Sequence, residues 1–123
     1  MATIYIDPMI NMKTNNVITI IIHFKTQPAH AAVAIANSSG FPLSLQQAEQ
    51  EVAASHLRFQ NDLQRLLGPE GIPFRINHTY KTVFNGVSLS LPGNKIPILL
   101  QSPEISAIYA NKEFKLDPPF VQF

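Results

Sequence analysis

The chain has 123 residues, a formal net charge of +1, 14% charged residues and no cysteine. Its length suits one domain burying roughly two thirds of the surface that the unfolded chain exposes. The near-neutral balance provides no basic stripe for nucleic acid, and the missing thiols exclude disulfides, thiolate chemistry and cysteine-type zinc sites without fixing the compartment.

Residues 1–16 read as an irregular N-terminal arm, in which Ile4, Tyr5 and Ile6 offer a short edge strand before Asp7-Pro8 and the polar run "NMKTNN". The sequence passes from Met1-Ala2 directly into "TIYIDP", without a signal-peptide pattern, so an exported form is expected to carry its leader outside it. The first firm strand is expected at about 17–25, "VITIIIHFK". Ile18, Ile20, Ile22 and Phe24 share one face, and Val17, Thr19, Ile21 and His23 the other. A fully apolar face backed by a mixed one fits a sheet covered by helices on one side. No apolar run reaches the roughly 20 residues that span a bilayer, so no membrane association is expected.

An alanine-rich helix follows Pro28 and stops at Gly40 and Pro42. Ser44 then stands as an N-cap with Gln47 three positions on, the pattern of a capping box. Beyond it Leu45, Ala48, Val52, His56, Phe59, Leu63 and Leu66 recur at spacings of three and four, one stripe of a long helix ending at Gly68-Pro69. At about 1.5 Å per residue that helix outruns the strands, and its far end is expected to overhang the sheet.

Residues 73–91 read as a hairpin around Asn85-Gly86, the pair suited to a two-residue type I′ turn. This places Phe84 opposite Val87, Thr82 opposite Leu89 and Tyr80 opposite Leu91. The series Phe74, Ile76, His78, Tyr80, Thr82, Phe84, Val87, Leu89 and Leu91 then shares one face. "PGNKIPILLQSPE" at 92–104 reads as a short helix with Asn94 able to cap, and "ISAIYA" at 105–110 as the last strand. Pro118-Pro119 imposes an extended path on the remainder. The order is β-α-β-β-α-β with an extra short helix before the first long one. The expected fold class is α+β: a ferredoxin-like antiparallel sheet with its helices on one face.

Catalytic patterns are missing. "GPEG" at 68–71 lacks the lysine and the strand-to-helix setting of a phosphate loop, and no nucleophile elbow occurs. The four histidines form no ligand pair, and the carboxylates are scattered. His56 on the helix stripe, His78 in the hairpin's inward series and His23 on the strand's other face all read as structural residues. The glycosylation-type triplets at Asn37 and Asn77 carry little weight. No enzyme activity, metal or cofactor is expected.

The runs "VITIIIHFKTQPA" and "YKTVFNGVSLSLPGNKIPILLQSPEISAIYANKEFKLDPP" resemble the inhibitor-type prosegment of subtilisin-like serine proteases. The long middle, "SLQQAEQEVAASHLRFQNDLQRLLG", is similar to prosegments of the larger bacillus-type secreted subtilases, of the minor extracellular protease type. The likeness covers roughly 17–119. It rests jointly on Phe84-Asn85-Gly86-Val87, Leu91-Pro92 and Ser102-Pro103-Glu104-Ile105, and the protease's own catalytic signatures are missing. It implies an arm at 1–16, an inhibitor domain at 17–116 and an extended tail at 117–123. It further implies a secreted, monomeric partner of a cognate subtilisin-like protease, which the domain helps to fold and temporarily inhibits.

On that resemblance the uncovered sheet face packs on the enzyme. The face would carry Thr19, Ile21, His23, Arg75, Asn77, Thr79, Lys81, Val83, Ser88 and Ser90, with Glu104 and Glu113 as candidate caps for enzyme helices. The tail would lie in the substrate cleft as a product-like strand, Phe120 and Phe123 filling pockets with Val121 and Gln122 between them. Short subtilisin prosegments cluster acidic residues after the last strand. Here "NKEF" supplies only Glu113, and the two inserted helical stretches have no counterpart. Two other readings stay open: a ferredoxin-like assembly module, predicting a stable homodimer, and a small-ligand regulatory module. The latter would call for a glycine-rich loop that "KTQPAHAAV" at 25–33 does not supply.

Overall fold

The computed structural model describes residues 3–111. Its strands are β1 (Tyr5–Ile6), β2 (Val17–Phe24), β3 (Arg75–Tyr80), β4 (Gly86–Pro92) and β5 (Ile105–Ala110). They form one sheet in the order β1-β5-β2-β4-β3. The β2–β5, β2–β4 and β3–β4 ladders are antiparallel, and only β1, beside β5, is parallel. The helices are α1 (Ala29–Ser38), α2 (Leu45–Leu67) and the single turn α3 (Ile96–Leu99), which a 3-10 turn over Gly93–Lys95 introduces. Without β1 this is the ferredoxin-like βαββαβ arrangement with one helix inserted.

The alternation in β2 works as its sequence reads. Ile20, Ile22 and Phe24 are buried, and they meet Val87, Leu89 and Leu91 of β4 and Ile105 and Ile108 of β5. Phe59, Leu63 and Leu67 of α2, with Ile96 and Leu99, close this core from one side. The α2 capping box forms: the Gln47 amide donates to Ser44 Oγ at 3.1 Å, and the Ser44 amide to Gln47 Oε1 at 3.1 Å. Leu67 rather than Leu66 ends the buried stripe, and Ser55 joins it. The overhang falls at the helix's first turns instead of its far end. Leu45 is 40% exposed whereas Leu63 and Leu67 are buried, and α1 lies against α2 without burying any residue of its own.

The N-terminal arm is part of the sheet. The Asp7 amide donates to the Ile108 carbonyl at 2.8 Å, and the Asp7 carboxylate accepts from the Ala110 amide at 3.0 Å. Ile10 is buried with the core.

The hairpin differs from its expected form. Tyr80 stands opposite Gly86, Thr79 opposite Val87 and His78 opposite Ser88, with a bulge between Ile76 and His78. The connection is therefore the five residues Lys81–Asn85, not a two-residue turn. Among the described residues positive φ is confined to Gly40 (77°) and Gly71 (65°), so Asn85-Gly86 lacks the backbone of a type I′ turn. Tertiary contacts have claimed both residues. The Phe24 amide donates to the Asn85 carbonyl at 2.8 Å, and a Cβ on Gly86 would collide with the Ile22 carbonyl oxygen. The bulge also inverts the parity of β3: Ile76 faces the core, but His78 and Tyr80 point to the opposite face.

Candidate functional site

The uncovered face of the sheet carries two neighbouring hollows that share Tyr80 and Asn111. One is polar, with a volume of about 450 Å³, and Thr19, Arg75, Asn77, Ser88 and Ser90 contribute to its lining. Its side chains are linked. Arg75 Nε donates to Asn77 Oδ1 at 2.9 Å, Asn77 Nδ2 donates to Ser90 Oγ at 2.7 Å, and the Ser90 and Thr19 hydroxyls lie 2.8 Å apart. Ser88, only 3% exposed, has a hydroxyl without a hydrogen-bond partner among the described residues.

The second hollow is aromatic. A row of rings crosses the sheet from β1 to β3: Tyr5 to Tyr109 at 5.5 Å, Tyr109 to His23 at 4.9 Å, His23 to Phe84 at 4.1 Å and Phe84 to Tyr80 at 4.7 Å. The His23 and Phe84 planes are 6° apart, a stacked pair. Burial between these rings lowers the His23 pKa from its ordinary value. Half-buried aromatics beside small hydroxyl side chains give the face the character of a protein-docking surface rather than of a catalytic cleft.

Residues 19–117 match the family model described as peptidase inhibitor I9. The chain belongs to the peptidase inhibitor I9 family. This is the family of subtilisin propeptides, inhibitor domains rather than catalytic ones, and the match takes in most of β2 and every later element. A 43-residue segment is 42% identical to the minor extracellular protease Vpr of Bacillus subtilis (strain 168). That segment is 35% of this chain and 5% of Vpr, so the chain corresponds to a small part of that protein's length.

The I9 domain brings Arg75, Asn77, Ser88 and Ser90 together on the open face, with Thr19, Ile21 and His23. It does not bring Thr79 or Lys81 there. Thr79 pairs with buried Val87 and so shares the helix-covered side, because the bulge at Asn77 shifts the alternation. Lys81 lies in the connecting loop, where it lines a cavity with His30, Glu49 and Val52 on the helical side. Val83 is 92% exposed in that loop. Tyr5, Tyr80, Phe84 and Tyr109 join the face unannounced by the sequence reading. A two-residue turn would put Tyr80 and Phe84 on the covered side; the bulge and the five-residue connection bring them to this one.

Glu104 is already engaged. Arg58 of α2 donates to its carboxylate at 3.0 Å and to that of Glu51 at 2.9 Å, an ion-paired fork joining helix to sheet. Glu113, Phe120, Val121, Gln122 and Phe123 lie outside the described residues, as does the expected boundary at 117. His56 lies on the buried stripe of α2. It is buried beside Asn85, whose Oδ1 lies 2.8 Å from His56 Nε2, and burial lowers its pKa. Asn85 Nδ2 donates to Ser55 Oγ at 2.9 Å and to the Thr26 carbonyl at 3.0 Å, which completes a buried polar cluster away from the open face. Among the described residues no three histidine or acidic side chains gather as a metal site, and no helix is long and apolar enough to cross a membrane.

Proposed function

We propose that this I9 domain is the prosegment of a secreted subtilisin-like serine protease, which it inhibits as a monomer by docking its open sheet face on the enzyme. The observation that carries the reading is the coincidence of I9 membership with a helix-free face of stacked aromatics and hydroxyls. Beyond Asn111, which lines both hollows, twelve residues remain, enough for roughly 40 Å of extended chain. Such a tail can reach a substrate cleft next to the docking site. There Phe120, Val121, Gln122 and Phe123 pair with the cleft edges as a product-like strand, and Pro118-Pro119 reduce the ordering cost. Glu113 is the candidate to cap an enzyme helix, whereas Glu104 is held by Arg58.

The same docking supports assisted folding. Binding the native enzyme in preference to its unfolded chain stabilises the native state by mass action. A preformed sheet also offers a template where long-range strand pairing is slow. The reading is tested by mixing the chain with mature Vpr and by refolding denatured Vpr in its presence. Competitive inhibition and a higher recovery of activity are expected. An unchanged hydrolysis rate at micromolar chain would reject the reading.

A further inference from the structure

We propose that the polar hollow of the open face is a receptor for one carboxylate side chain of the partner protease, taken by the Arg75 guanidinium with the Ser88 hydroxyl at the floor. The proposal rests on the docking reading and names the chemistry that the enzyme must present at this point.

The hollow offers hydrogen-bond donors in excess. Arg75 spends only Nε on Asn77, which leaves both terminal NH2 groups of the guanidinium, and no described carboxylate pairs with it. The Asn77 amide holds the guanidinium in place and is itself fixed by Ser90, so the fork is oriented before any partner arrives. A buried hydroxyl left unpaired is costly, and no described residue pairs with that of Ser88. His78, its exposed neighbour across the ladder, lines the hollow beside it. Among the described residues no acidic side chain lines the hollow. Asp7 lines the neighbouring aromatic hollow, where its carboxylate receives the Met9 and Ala110 amides.

These properties select the occupant. An apolar plug would leave Ser88 unpaired and strip water from Arg75. An ammonium group would meet a guanidinium without an acid to balance it. A carboxylate accepts at about four lone-pair positions and matches a guanidinium in two parallel bonds.

The test compares inhibition of mature Vpr by the 123-residue chain and by its Arg75→Met and Ser88→Ala variants, with thermal unfolding of each free protein. Arg75→Met is expected to raise Ki at least about tenfold and to flatten its dependence on salt. Ser88→Ala is expected to raise Ki about threefold or more while the free protein's melting temperature stays level or rises. That opposition of signs separates a receptor hydroxyl from a structural one, which would weaken both together. Ki values within twofold of wild type for both variants would overturn the proposal while leaving the docking reading intact. A wild-type chain that fails to inhibit would overturn both.

Discussion

Replacing Asn85 by alanine tests whether the Asn-Gly pair is a buried joint or a surface turn. Asn85 is 2% exposed and bonds His56, Ser55 and the Thr26 carbonyl at 2.8, 2.9 and 3.0 Å. In Asn85→Ala, Ser55 keeps its bond to the Val52 carbonyl, but the His56 ring and the Thr26 carbonyl lose this partner. At about 1–3 kcal/mol for each of the two orphaned groups, the loss comes to roughly 2–6 kcal/mol. That is a large share of the ~5–15 kcal/mol that holds a domain of this size together. A solvent-exposed turn residue would lose only about 0.5 kcal/mol or less. Urea unfolding followed by far-ultraviolet circular dichroism gives the difference from the shift in midpoint at constant slope. A destabilisation below about 1 kcal/mol would refute the buried-joint reasoning. Combining Asn85→Ala with His56→Ala sharpens the result, since residues in one cluster lose less together than the sum of their separate losses.

Burial lowers the pKa of both His23 and His56, which fixes the sign of a pH effect. Above about pH 6.5 both rings are neutral, folded or unfolded. As pH falls through that value the unfolded chain takes up protons first, so stability declines, by at most about 1.4 kcal/mol per pH unit for each histidine. Urea midpoints at pH 7.5 and pH 5.5 check this, and a higher midpoint at the acidic pH would contradict it. Ser44→Ala removes the α2 cap and is expected to cost about 1 kcal/mol in the same assay without altering Ki for Vpr. Phe84→Ala removes the ring stacked on His23 and is expected to weaken inhibition roughly tenfold, as loss of an aromatic anchor does. An unchanged Ki would remove the aromatic row from the interface.

Signals that are local in the sequence proved legible. Ser44 and Gln47 cap α2 because a capping box needs only its own first turn. β2 and β5 follow their apolar and β-branched residues, and the I9 resemblance was readable from the hairpin and last strand. What stayed hidden depends on partners distant in sequence. Asn85-Gly86 carries a strong local turn signal, yet Ser55 and His56, about thirty residues away, engage the Asn85 amide from α2. The close passage of Ile22 makes glycine necessary at 86 for a reason unrelated to turn geometry. The bulge at Asn77 leaves no mark in the alternation, yet it moves His78 and Tyr80 onto the open face and Thr79 off it. The aromatic row joins residues from β1, β2, β3, β5 and a loop, and no pattern within one segment predicts such a meeting.

The most direct measurement is a titration of mature Vpr with the full chain and with the same chain ending at Asp117. Inhibition by the full chain that weakens by a factor of about one hundred or more on trimming is the predicted result, since the proposed tail would lose two aromatic anchors together. Equal inhibition by both would contradict the product-like tail and leave the binding energy on the open face alone.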